Sequence, residues 1–276
     1  MTPLSLQGAK HFCAEFSNTA TPPVGVRELY DTALVKRKSF KEGEQVFNEY
    51  RDALLREADR YFFLGVSCFR RALDLFSGAS ASWAHVSLYY SAWFAAHSVL
   101  GMFGCWVQAP GKIVEVKSHS PGSQEFEVAK KKYSTKSSGS HMFFWDAYYN
   151  AMQSMILWTD PSLHLAVKPI SNNQTWAIER RNLVNYETLQ AFKLMREHNA
   201  KFDATKFPST LQGDLATQFQ LTKSLLLFCA DRAKEFGLKT DVYSTFGTRS
   251  TAIKKLIYKT TPSVLSNHSE ESKLAV

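Results

Sequence analysis

Between Glu44 and Phe76 the apolar positions Phe47, Tyr50, Leu54, Ala58, Tyr61, Gly65, Cys68, Ala72 and Leu75 recur at steps of three and four, and Ser77-Gly78 interrupts them. That spacing puts them on one face of a long amphipathic helix. The next stretch, Ser82 to Phe103, is rich in alanine and aromatics and apolar nearly all round, which predicts a helix enclosed by other helices and ended by Gly101 and Gly104. The period then shortens to two. Lys112 to Val116 and Glu125 to Ala129 alternate apolar and polar residues about Ser118-His119-Ser120-Pro121-Gly122, the pattern of a β-hairpin inserted between helices.

Helical spacing resumes from Met142 to Trp158, where Phe143, Phe144, Trp145, Tyr148, Met152, Met155 and Ile156 predict a third helix. Asp160-Pro161 and Lys168-Pro169 mark the following loop. A fourth helix is expected from Asn172 or Asn173, either of which can cap it, to about His198. A fifth starts at Ser209 after Pro208, carries Leu211, Leu215, Phe219, Thr222, Leu226, Cys229, Ala233 and Phe236 on one side, and ends at Gly237. These elements predict an all-α fold, an up-and-down bundle of four to five long helices with an inserted β-hairpin. Residues 1–43 read as an irregular or short-helical arm, 44–237 as the bundle with a hairpin and basic-loop insertion at 106–140, and 238–276 as a short basic helix over Thr248 to Tyr258 followed by a disordered tail.

Composition narrows the class without naming a function. The 276 residues are 45% hydrophobic and 13% aromatic, enough for a packed core. No run of about 18 apolar residues appears and the first ten residues lack a leader pattern, so a cytoplasmic protein without a membrane span is expected. Cys13, Cys68, Cys105 and Cys229 lie far apart and show no zinc-type spacing, so buried free thiols are expected. A net charge of +8 permits a nucleic-acid or other polyanionic partner. Lys130, Lys131, Lys132 and Lys136, followed by a serine-glycine stretch, read as a mobile basic loop, either a plain soluble linker or a phosphate-contacting arm, and Lys36-Arg37-Lys38 as a solvated basic knot.

The unusual chemistry lies in the fourth helix. On a continuous helix Ile178, Leu189 and Phe192 point one way, and Arg181, Asn182 and Asn185 fall in the same sector. Each such polar group costs about 1 to 3 kcal/mol if buried without a partner, so this face must meet a partner, a wet cleft or a ligand. Alternatively the three form a polar network that fixes register or dimer geometry. No phosphate loop, GxGxxG, HExxH, GxSxG or calcium loop is present, and no two of the eight histidines stand three or four apart. No metal or cofactor site is expected.

Two segments resemble motifs of HEPN domains, the prokaryotic and eukaryotic nucleotide-binding helical bundles. LYYSAWFAAHSVLGMFG, Leu88 to Gly104, is similar to their tyrosine-rich second helix. Arg181-Asn182-Leu183-Val184-Asn185-Tyr186 resembles the motif of their last core helix, in the same order along the chain. The resemblance covers roughly residues 44–236 and implies a bundle that commonly dimerises with the motif helices of two protomers face to face. In ribonuclease members an arginine, four to six intervening residues and then a histidine form a composite metal-independent site that cuts RNA through its own 2′-hydroxyl, often within toxin-antitoxin or antiphage systems.

The chain departs from that pattern. With four intervening residues Arg180 reaches Asn185 and Arg181 reaches Tyr186, so the histidine is missing. An amide cannot titrate near neutrality, whereas 2′-hydroxyl chemistry needs a group that does. Arg181 would stabilise phosphate charge, Asn182 and Asn185 position phosphate or ribose, Tyr186 support, and Arg180 bind RNA. A surrogate acid or base would come from His85, His97, His119, His141 or Glu179. Two functions are therefore expected: a HEPN-like endoribonuclease acting as a homodimer, with an antitoxin or other defence partner, or a non-catalytic bundle that binds nucleotide, RNA or protein and uses the motif face for assembly.

Overall fold

A computed structural model of the chain describes residues 2–16, 25–29, 31, 39–77, 80–109, 112–118, 126–132, 139–155, 173–201, 203 and 206–238. In chain order these form α1 (Leu6–Ala14), α2 (Val26–Leu29), β1 (Ser39–Lys41), α3 (Gln45–Ser77), α4 (Ala81–Met102), β2 (Cys105–Ala109), β3 (Lys112–Ser118), β4 (Phe126–Lys132), α5 (Ser140–Met155), α6 (Trp176–Tyr186), α7 (Thr188–Lys201) and α8 (Gly213–Glu235). The fold is mainly helical, as the periodicity predicts. His119, Lys136, Lys36-Arg37-Lys38, the helix expected at Thr248 to Tyr258 and the expected tail lie outside the described residues.

The apolar-all-round α4 is the axis. Its buried residues include Leu88, Tyr89, Val86, His97, Gly101 and Ser98, which fall on every side of a helix, and α1, α3, α6, α7, α8 and β2 all pack on it. Small residues allow the closest approaches. Ser91 Oγ donates to the Gly65 carbonyl at 2.5 Å, joining α4 to α3, and Thr222 Oγ1 of α8 donates to the Leu88 carbonyl at 3.0 Å. Three of the four cysteines, Cys13, Cys105 and Cys229, are buried thiols, Cys68 is partly buried, and all four are free.

The predicted hairpin is present as β3 and β4, but as the middle of a four-stranded antiparallel sheet ordered β1-β4-β3-β2. β1 pairs with β4 through Phe40 and Val128, and β2 pairs with β3 through Trp106 and Val114. The basic run Lys130 to Lys132 continues β4, opposite Val114, Ile113 and Lys112, rather than forming a loop. Ile113, Val114, Glu115 and Val116 are all buried, so both faces of β3 are covered.

The fourth predicted helix is two helices. Glu187 takes an extended conformation, with φ −107° and ψ 98°, between α6 and α7. Its N–H donates to the Leu183 carbonyl at 3.1 Å and its carbonyl accepts from the Ala191 N–H at 3.0 Å, so one residue closes one helix and opens the next. The phase relation that put Leu189 and Phe192 on the face of Ile178 is lost here. Leu189 is 75% exposed and Phe192 57% exposed, whereas Ile178 is buried. Among the described residues, no helix is long and apolar enough to cross a membrane.

Candidate functional site

The first turn of α6 is tied down by its own polar residues. Thr175 donates its N–H at 3.0 Å to Asn173 Oδ1, its hydroxyl stands 2.8 Å from Asn173 Oδ1 and 2.5 Å from Glu179 Oε1 with one proton shared between them, and Glu179 accepts from Asn173 Nδ2 at 2.9 Å. These hydrogen bonds to Thr175 and Asn173 hold the Glu179 carboxyl below its usual range. Glu179 is thereby held by two neighbouring polar side chains at the start of α6.

Two turns' worth of rigid helix then carry Arg181 inward. It is only 7% exposed, and its guanidinium carbon stands 5.0 Å from the ring centre of Tyr89 and 5.9 Å from that of Tyr90, both on α4. Its Nε has no hydrogen-bond partner, and among the described residues no carboxylate pairs with it. Burial pushes the Tyr89 phenol up to about 12, against the opposing pull of Trp145 and Arg181. Tyr89 Oη shares a hydrogen bond of 2.8 Å with His141 Nδ1 and accepts one of 3.3 Å from Trp145 Nε1. His141, at the start of α5, is half-buried, and burial followed by the field of Arg181 lowers its pKa. Tyr90 and Trp93 complete its surroundings, with ring centres 6.2 Å and 5.0 Å from the imidazole.

The other expected site residues do not join this cluster. Asn182 and Asn185 face solvent, contrary to the expected shared sector with Arg181, and Tyr186 is 71% exposed. The physical reason is angular: Ile178 and Arg181 fill the narrow buried stripe of α6, and the next positions round the helix turn outward. Arg180 lies on a different flank, with Nη1 3.3 Å from Asp214 Oδ2 at the start of α8. Lys130, Lys131 and Lys132 belong to β4.

Of the histidines, only His141 contacts the arginine's aromatic pocket by a hydrogen bond among the described residues. His85 is buried on α4, its pKa lowered to about 4 by burial and then by Arg180. His97 stacks on Phe144 with ring centres 3.9 Å apart, and His198 sits under Phe76 with Nε2 3.4 Å from the Phe76 carbonyl. The sequence named His141 among five candidates but held no signal to choose it, because it stands 40 residues before Arg181 and the two meet across Tyr89 and Tyr90. Tyr89 itself carries the link, although its position on the core helix reads as packing.

A buried guanidinium over two phenol rings, beside an oriented imidazole, can hold an oxyanion and exchange a proton with it. Compared with known proteins, the chain finds no match: no family model, no curated protein and no solved structure is similar to it.

Proposed function

We propose that this chain is a HEPN-like, RNA-directed protein with an up-and-down helical bundle, acting in the cytoplasm as a metal-independent endoribonuclease of a defence or toxin-antitoxin system. The observation that carries the reading is the Tyr89 bridge, which supplies from α5 the histidine that the arginine motif of α6 lacks. In the tautomer that donates Nδ1–H to Tyr89, His141 presents Nε2 as the acceptor for the 2′-hydroxyl proton. Its lowered pKa keeps it neutral, and therefore basic, at pH 7. The 2′-oxygen then attacks phosphorus, the bond to the 5′-oxygen breaks, and Arg181 neutralises charge on the phosphorane. Protonation of the leaving oxygen is assigned to the second protomer of a homodimer.

A second reading is favoured by the exposure of Asn182, Asn185, Tyr186, Leu189 and Phe192 along α6 and α7. These residues suit an assembly face, so the bundle would bind RNA or a cognate antitoxin without cutting. One experiment separates the two: incubation of the purified chain with total RNA and tRNA in excess chelator, comparing wild type with His141→Gln and Arg181→Met. The methionine preserves buried volume without leaving an unpaired charge. Cleavage by wild type that falls at least 100-fold in both folded variants supports the nuclease; intact RNA with folded wild type leaves the assembly reading.

A further inference from the structure

Consecutive residues on a helix diverge by about 100°, so Arg180 enters a space separate from that of Arg181. It lines a cleft of about 370 Å³ between α6, α7 and the N-terminus of α8. That volume falls within the usual range for small-molecule sites, about 300 to 1,000 Å³.

Three features of the cleft converge on an anion. The start of the 23-residue α8 has no side-chain cap: Gln212 stands at the capping position, but its Oε1 accepts from Lys201 Nζ at 3.0 Å instead of from the helix. The amide dipoles of the first turn are thus directed into the cleft without a side-chain acceptor. Gly213, at φ +56°, keeps the approach clear, since a Cβ there would meet no atom within 4 Å. On the inner wall His85, 1% exposed, has no hydrogen-bond partner at Nδ1, and Arg180 has none at Nε. A buried polar atom left unpaired at the wall of an open cleft is the mark of a place that something else completes.

The cations of the cleft are held by weak, exposed pairs. Arg180 Nη1 and Asp214 Oδ2 are 3.3 Å apart with side chains 38% and 52% exposed, and Lys193 Nζ lies 4.0 Å from Glu197 Oε1. Exposed pairs of this kind are readily displaced. A dianionic group with three oxygens reaches both the guanidinium and the helix amides, where the Asp214 carboxylate, anchored to α8 itself, satisfies the arginine alone.

We propose that this cleft binds a small phosphate monoester, its phosphoryl oxygens shared between Arg180 and the first-turn amides of α8, its carbon skeleton lying on Leu183 and Leu194, and a hydroxyl bonded to His85 Nδ1. Asp214 is the built-in competitor that the phosphate displaces. The assignment uses none of Arg181, Tyr89 or His141, and it gives Arg180, expected from the sequence to bind RNA, to a small phosphate instead.

The test is titration of the full chain with inorganic phosphate and with ribose 5-phosphate, followed by calorimetry and by amide NMR shifts of Gly213, Asp214 and Leu215. Ribose 5-phosphate is expected to bind more tightly than phosphate and to move those amides. Arg180→Gln is expected to weaken both by about 10- to 100-fold. Asp214→Asn, which removes the competitor, strengthens both about two- to fivefold. Arg180 and Asp214 are both partly exposed, so these variants test the site without asking the core to tolerate a change. No saturable binding in the millimolar range, binding indifferent to Arg180→Gln, or inorganic phosphate binding as tightly as the sugar phosphate would overturn the proposal. Binding of ribose 5-phosphate that persists in Arg181→Met, whatever that variant does to RNA, would show the two sites to be distinct.

Discussion

His97 lies between Phe144 and Trp93, its ring centre 3.9 Å and 4.4 Å from theirs, and Tyr61 stacks at 4.7 Å. Its Nε2 has no hydrogen-bond partner, and burial, followed by the nearby His141, lowers its pKa from 6.5 to about 3. His85 behaves alike, lowered to about 4 by burial and then by Arg180. Between these values and 6.5 the unfolded chain binds protons that the folded chain refuses. Their stabilising effect is therefore complete above 6.5 and declines as pH falls towards 3 and 4, with a slope of up to about 1.4 kcal/mol per pH unit for each histidine. Urea denaturation of wild type at intervals from pH 7 to pH 4 should show that decline. His97→Phe keeps the stacked ring and removes the proton site, so its curve should be shallower by about 1.4 kcal/mol per pH unit below pH 6. An unaltered slope in this variant would mean that His97 is solvated in the folded chain.

At the scale of elements, close approach depends on what is absent from a side chain. A Cβ on Gly101 of α4 would come within 2.8 Å of Ala58 Cβ on α3, closer than non-bonded carbons approach. Gly101→Ala should push the two long helices apart and cost about 1 to 3 kcal/mol, read from the shift in urea midpoint at constant slope. A variant as stable as wild type would show that the α3–α4 contact yields freely. The same scale explains what could be read from the chain alone. The helix α3 was legible because its period is sustained over many turns, α4 because its alanine-rich apolar run is long, and β3 and β4 because Val114 and Val116, and Phe126 and Val128, leave an alternating trace. The ends of the sheet were not: β1 is three residues long, and three lysines at the end of β4 carry no apolar alternation. The break at Glu187 has neither glycine nor proline to announce it. It is set by tertiary gain, since turning α7 brings His198 beneath Phe76, with ring centres 5.5 Å apart. Arg181 as the buried polar residue of α6 was visible from its neighbours, but the exposure of Asn182 and Asn185 depended on how wide a stripe α4 covers.

Over the whole molecule, the N-terminal residues close the end of the core that α4 leaves open. The Leu4 N–H donates to the Phe103 carbonyl at 3.1 Å, Cys13 Sγ lies 3.6 Å from the Met102 carbonyl, and the Thr2 N–H donates to Glu115 Oε2 at 3.2 Å. Glu115 has no exposed surface, so this donor helps to satisfy a carboxylate sealed inside the sheet. Leu4, Ala9, Phe12 and Cys13 are buried with it, and Phe12 meets Phe126 of β4 edge-on at 6.3 Å. Segments from the two ends of the α3–α4 pair thus share one core, with β1 arriving before α3 and β2 to β4 after α4. Removing residues 1–16 would forfeit the burial of two large side chains and strip polar partners from Glu115 and Phe103, a loss on the order of 5 to 10 kcal/mol. That rivals the entire stability of an ordinary domain. The shortened chain should lose its cooperative thermal transition and bind a hydrophobic dye, while the point variant Phe12→Ala, costing about 3 to 5 kcal/mol, should retain a transition at lower temperature. A shortened chain melting at the wild-type temperature would instead make α1 an appendage, and the core would have to be complete without it.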